Sequence, residues 1–313
     1  MALLGLVYWQ HTGERAVPGL IEALQSEDLQ EQMLAAHHLK HIGLPAQAAV
    51  PLLVSLATAD SRSSLHSEAA GALPAIDLSA ARKVMDHHIS RLQDPDPQVR
   101  RDAAAALGSL GPVAKPAVPR LIGILEDPST IVRDRTVRAL GAIGLPPDMV
   151  LNGLLQALRD PEWTVRHAAV AQFSFGGYAG SGTLDLLREL TKDSNQTVAQ
   201  LAQAAVRSAE RPIAVSIQLM VLDSQTADRT YPLLQIAKLG PRAAEAVPKL
   251  SSLLTAEQPL ERYLAASALE AVGPAARGAH SALQRAVDDP DPVVRAAAAQ
   301  ALQAIEKEPS ATR

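Results

Sequence analysis

The 313-residue sequence contains no cysteine, which excludes disulfides, thiolate metal sites and cysteine nucleophiles. That absence fits a reducing compartment, so a cytoplasmic location is the expectation. Aromatic residues are nearly as scarce: two Trp, two Phe and four Tyr, 3% of the chain. A core with so few rings has to be filled by aliphatic side chains. Net positive charge is missing too. The formal charge is -4 and the pI near 6.1, so the basic field that holds phosphate backbones is absent and nucleic acid is not an expected partner. Long apolar runs are also lacking. "MALLGLVYW" has no basic residues before it and no small-residue cleavage site ahead of His11. It falls well short of the about 20 residues a bilayer requires, so it reads as part of a helix, and membrane insertion is not expected.

What is present is 47% hydrophobic and 20% charged, with Ala and Leu filling the apolar positions. Both are strong helix formers, and small side chains let helix axes approach. The composition is arranged with a period. Val99, Val132, Val165 and Val198 stand 33 residues apart, and Gly111, Gly144 and Gly177 keep the same step. After a three-residue deletion between Ala199 and Arg229, the step resumes in Arg229, Arg262 and Arg295, and in Gly240 and Gly273. "DPDPQVRRDAAAAL" at Asp94 therefore returns as "DPDPVVRAAAAQAL" at Asp289.

Each unit reads as an antiparallel helix pair. Val99, Ala103, Leu107 and Leu110 form one apolar stripe of an α-helix, repeated by Val132, Thr136, Leu140 and Ile143 and by Val294, Ala298, Leu302 and Ile305. Asp96, Asp160 and Asp291 each precede a proline, which places an N-cap before a residue suited to the first helical position. Gly111, Gly240 and Gly273 close the helix, each followed by proline. The other helix begins "AVPRLIGILED" at Ala117 and "AVPKLSSLLT" at Ala246. The two are called here the Val-Arg helix and the Ala-Val-Pro helix.

These residues resemble the HEAT repeat, and the wording "DPxxxVRxxAAxALGxIG" resembles the bacterial subtype of phycobilisome lyases, over nearly the whole chain. The resemblance implies an all-α solenoid of about nine stacked helix pairs in a right-handed superhelix, spanning 1–306. A partial leading helix is expected over 1–13, irregular repeats near 60–80 and 199–229, and a disordered tail over 307–313. "GALPA" from Gly71 to Ala75 replaces the usual helix ending, and "IAVSIQLMVL" from Ile213 to Leu222 is read as helix, because a lone strand would leave backbone groups unpaired. The resemblance also implies a charged ladder between neighbouring repeats. Its members would be Asp94 and Arg100, Asp127 and Arg133, Asp160 and Arg166, Asp223 and Arg229, and Asp289 and Arg295.

Chemistry is harder to find. His37 and His41 stand four apart on one helix and are the nearest approach to a metal site, but no further ligand is placed by pattern; a solvated histidine-rich face is the expectation. No His-Glu dipeptide occurs, against the repeated pairs of the HEAT-like iron hydroxylases. "FGGYAGSG" from Phe175 to Gly182 follows a helix, not a strand, and has no Lys-Ser/Thr partner, so it reads as a connection in which Tyr178 is a contact candidate. The arginines at 100, 101, 133, 135 and 138 alternate with acids and read as an ion-paired surface. Trp163 is a second candidate anchor. Glu22, Gln156, Arg188, Ser252 and Arg285 share one position of the Ala-Val-Pro helix and are expected to line a concave groove. Their mixed character points to a protein or peptide ligand.

The expectation is thus a non-catalytic interaction scaffold without a cofactor, binding another protein along its concave face, monomer favoured. Two alternatives stand beside it: a lyase-like or chaperone-like accessory that handles a bilin or other tetrapyrrole, and the repeat segment of a longer multidomain protein.

Overall fold

Proline, aspartate and glycine punctuate this chain into helices. The structure, a computed structural model, describes residues 13–59, 64–144, 147–173, 181–210 and 229–307. In chain order the pairs are α1 (Val17–Leu24) with α2 (Leu29–Ile42), α3 (Val50–Thr58) with α4 (Leu65–Ile76), and α5 (Leu78–Arg91) with α6 (Pro97–Ser109). Then come α7 (Val118–Gly123) with α8 (Thr130–Ile143), α9 (Pro147–Ala157) with α10 (Trp163–Phe173), and α11 (Ser181–Leu190) with α12 (Gln196–Glu210). The seventh unit shows its Val-Arg helix, α13 (Thr230–Leu239), followed by α14 (Val247–Leu253) with α15 (Pro259–Val272), and α16 (His280–Ala286) with α17 (Pro292–Glu306). The all-α stack of helix pairs is therefore observed, with the period read from the sequence. "IAVSIQLMVL", Asp223, Tyr178, residues 1–12 and 308–313 lie outside the described residues.

The punctuation acts as chemistry requires. Asp96 accepts a hydrogen bond from the Gln98 N–H (2.8 Å) and Asp291 from the Val293 N–H (2.7 Å), satisfying donors that a helix start leaves open. Asp160 is a correction. α10 begins at Trp163, and Asp160 instead accepts from the Glu162 N–H (2.8 Å) to hold the turn. Gly111, Gly240 and Gly273 take φ of +59°, +56° and +65°, a region that only glycine enters without strain. "GALPA" ends α4 differently: Pro74 lies inside the helix, and Asp77 both ends α4 and caps α5.

Which row is concave follows from packing. Successive Val-Arg helices pack together more closely than successive Ala-Val-Pro helices throughout, and in a curved stack the tighter row is the inner one. Small residues permit it: Ala103, Ala104 and Ala106 are all buried in α6, and a Cβ on Gly108 would stand 3.0 Å from the Ala139 Cα of α8. The expected arrangement is thus inverted. The Ala-Val-Pro helices form the outer row, and Glu22, Gln156, Arg188, Ser252 and Arg285, all exposed, sit on it rather than in the trough.

A ladder ties the units. Arg100 grips Asp127 through Nε and Nη2 (2.7 and 2.9 Å), Arg133 grips Asp160 (2.8 and 3.1 Å), Arg166 grips Asp193 (2.7 and 2.9 Å), and Arg262 grips Asp289 (2.7 and 2.8 Å). Each partner lies 27 residues on, in the next unit. To the aspartate six residues before it the arginine offers Nη1 at the backbone carbonyl, as Arg100 does to Asp94 (2.8 Å) and Arg133 to Asp127 (2.9 Å). Asp193 and Arg262 were missed by the spacing of six because Ala199 and Ala256 stand where their local mates would be. Arg229 therefore finds no aspartate in the next unit and donates to Glu261 Oε2 (3.0 Å). Arg295 keeps the carbonyls of Asp289 and Pro290, and Asp94 faces Arg91 at 3.6 Å. At Asp127 burial disfavours the carboxylate, but the Arg100 and Ser129 hydrogen bonds outweigh it and hold the carboxyl below its usual range.

The stack also closes on itself. Tyr263 Oη of α15 donates to the Pro112 carbonyl (2.8 Å). Lys115 Nζ donates to Glu270 Oε2 (2.5 Å) and Gln300 Oε1 (3.1 Å), and Lys238 Nζ reaches the Gly141 carbonyl (3.3 Å). A side chain on Gly144, at φ +64°, would strike Lys238 and Leu234. Every residue from Arg262 to Leu269 is buried, so α15 is covered on all faces. The open trough expected from the repeat is filled, at the last three units, by the chain's own earlier units.

Candidate functional site

With part of the inner face occupied, a groove lies at the edge where helix pairs turn. It has a volume of 780 Å³ and runs between the Asp127–Pro128 and Asp160–Pro161 turns of the fourth and fifth units, with Asn152, Leu155 and Gln156 of α9 along its wall. The turns are held by the ladder itself, since Arg133 bridges Asp127 O and the Asp160 carboxylate. Gln156, one of the five expected contact residues, lines this groove and faces Glu126 Oε1 at 3.5 Å. Ile131 and Trp163 follow the two turns within three residues and are 43% exposed each. The Trp163 ring meets His167 edge to face at 6.5 Å. Sequence reasoning missed Ile131, whose signal was an isoleucine at a helix start in a position held elsewhere by Gln98 and Thr164.

The remaining candidates are dispersed. Glu22, Arg188, Ser252 and Arg285 sit apart on α1, α11, α14 and α16. His37 and His41 face each other with Nε2 atoms 3.1 Å apart on exposed positions of α2, and among the described residues no group of three metal-ligating side chains forms. The arginine cluster is divided: Arg100 and Arg133 belong to the ladder, Arg101 pairs with Asp102 (2.6 Å) and Arg138 with Asp134 (2.9 Å). His88 is buried on α5 with Nε2 2.9 Å from the Ala57 carbonyl. Burial first, then the neighbouring His87, pushes its pKa down to about 4. Among the described residues no helix is long and apolar enough to cross a membrane.

The family model described as HEAT repeats matches residues 85–171, 118–207 and 213–303, which is most of the chain. No curated protein sequence matches. Among solved structures, YibA of Escherichia coli is similar at 21% identity with TM-score 0.44, over 82% of this chain and 91% of that one. A chain of the Kap95p complex with RanGDP is similar at 15% identity, TM-score 0.46, over 95% and 47%. The complex of CpcE and CpcF of phycocyanin lyase from Nostoc is similar at 22% identity, TM-score 0.35, over 44% and 88%. At these identities the likeness is one of fold alone.

Proposed function

Since the chain belongs to the HEAT-repeat family, we propose that it is a non-catalytic scaffold that holds a partner protein against the turn edge of its fourth and fifth units. The observation that carries this reading is the 780 Å³ groove between two ladder-braced turns, each followed within three residues by an exposed large side chain, Ile131 or Trp163. Large rings at a rigid surface dominate interface energetics, and the chain has only two tryptophans to place. Glu126, Arg159 and Gln156 around the groove supply the mixed polar contacts that suit a protein surface. The lack of cysteine supports a cytoplasmic setting.

Affinity purification with the wild-type chain and with the Ile131→Ser/Trp163→Ala variant tests it. Both side chains are exposed, so melting should be unchanged while a partner retained by the wild type is lost, with affinity weakened by at least about tenfold. A variant that keeps every partner overturns the reading.

A further inference from the structure

A helix sets side chains four residues apart on one face, one turn above the other, and α2 sets His37 and His41 in this way. Both are exposed, with their Nε2 atoms 3.1 Å apart and their ring centroids at 4.6 Å. That separation is the bite of a chelate. With imidazole–metal bonds of about 2.0–2.1 Å, nitrogens 3.1 Å apart subtend about 98° at a shared ion, between the right angle of a square or octahedral site and the tetrahedral angle. The surroundings suit a cation. His41 lies in the last turn of α2, where the helix dipole is negative, and His38 packs beside the pair, its ring edge to face with His37 at 5.9 Å. His87 and His88 on α5 are arranged otherwise: they are neighbours in sequence, their rings meet edge to face at 5.1 Å, and His88 Nε2 is turned inward to the Ala57 carbonyl at 2.9 Å.

We propose that His37 and His41 form a binding site for one divalent transition ion of the nickel, copper and zinc group, held by the two imidazole Nε2 atoms with water at its remaining positions. Imidazole suits these ions, whereas magnesium and calcium take oxygen ligands, so the donor type sets the selectivity. Two protein ligands keep the ion exchangeable. Its binding replaces the hydrogen bond in which one imidazole N–H donates to the other ring, and it pins the last turn of α2 just before Gly43, at φ +71°, ends the helix. The site lies on the first unit, apart from the groove between the fourth and fifth, and the proposal goes beyond the scaffold reading without depending on it.

Calorimetric titration of the full-length chain, purified without a histidine tag, with zinc chloride and with magnesium chloride tests it. The absence of cysteine removes thiolates as competing ligands. Zinc should bind and magnesium should not. His37→Ala and His41→Ala should each weaken zinc binding at least about tenfold, because loss of a ligand costs no less than loss of the outer partner that orients one. Both side chains are exposed, so circular dichroism of the variants should match the wild type. The double variant should bind no worse than either single one, since one imidazole alone does not hold the ion. His280→Ala, which removes an exposed imidazole beside Glu306 Oε1 on α16, should leave the affinity as it was. Zinc affinity unchanged in either single variant, two losses that simply add in the double variant, an equal loss in His280→Ala, or magnesium binding that depends on the same pair would each overturn the proposal. The Ile131→Ser/Trp163→Ala chain should bind zinc as the wild type does, so that failure at one site is told apart from failure at the other.

Discussion

Units three to six and units seven to nine are written in one phrase, yet their inner faces meet different surroundings. Two residues after the repeat-valine position, which holds Asp228 and Glu261 in units seven and eight, stand Arg101, Asp134, His167 and Gln200 in the first set, against Thr230, Tyr263 and Ala296 in the second. Six residues after it stand Ala105, Arg138, Ala171 and Ala204, against Leu234, Ser267 and Gln300. The first set carries charges that pair locally and stay wet, as Asp134 and Arg138 do with the arginine side chain 46% exposed. The second carries a tyrosine and an amide, Tyr263 and Gln300, that meet another part of the chain. The stripe and the ladder are common to both; what differs is the handful of inner positions the period leaves free. A solenoid's stacking and its closure are thus specified by separate residues.

The ladder offers the largest break of that comparison. Arg133→Ala leaves the Asp160 carboxylate, whose side chain is 6% exposed, without its bidentate mate, and loss of one partner of a buried pair costs about 3 kcal/mol. Arg262→Ala removes the same link beside α15, which is covered on all faces. Its loss should be greater than that of Arg133→Ala, because loosening α15 also releases the turn it grips. Chemical denaturation of the two variants measures both, and equal losses would show that closure adds nothing to the ladder.

Acid should act on one side of the comparison only. His88 is buried neutral, with its pKa lowered from 6.5 to about 4, so folding keeps full stability above pH 6.5 and loses it as pH falls from there through 4. Between pH 7 and pH 5 the loss is about 2 kcal/mol. Hydrogen exchange resolved by segment should show α3 to α5 opening first at pH 5, while α14 to α17 hold. There the described residues include a single histidine, His280, half-exposed and next to Glu306 at 3.3 Å. Uniform loss of protection along the stack would assign the acid response to other groups.

Much of this was legible in the residues. The 33-residue step placed the helix pairs, Asp96 and Asp291 announced their helix starts, and Gly111, Gly240 and Gly273 announced the ends, because those signals are local and act within one turn of chain. The ladder was legible in kind, but the spacing of six marks the backbone link, and the ion pair runs 27 residues forward to the next unit. The inner row was misassigned because periodicity reports that two helices alternate and not which one lies inside. The alanine runs at 103–106 and 296–299 were the available signal, since the inner helices must approach most closely. Closure depends on contacts more than 90 residues apart, Lys238 with Gly141 and Lys115 with Glu270. No local pattern encodes them, although a tyrosine at 263 where the wet units carry Arg101 or Asp134 was a sign that this face is not in water.

That tyrosine is also the finest probe of the difference between the two sets. Its hydroxyl is buried, which pushes its pKa upward, and it donates to Pro112 O. Tyr263→Phe keeps the ring and deletes the donor, leaving the Pro112 carbonyl short of one bond. The expected loss is about 1 kcal/mol, seen in thermal melting. Tyr231→Phe is the matched control on the same row of helices, because Tyr231 is 50% exposed and exchanges a bond with water for no bond at a cost near zero. If both variants melt alike, the Tyr263 hydroxyl contributes no net stability and closure is held by Lys115 and by apolar contact. If only Tyr263→Phe melts early, the hydroxyl helps hold the last three units against the earlier ones.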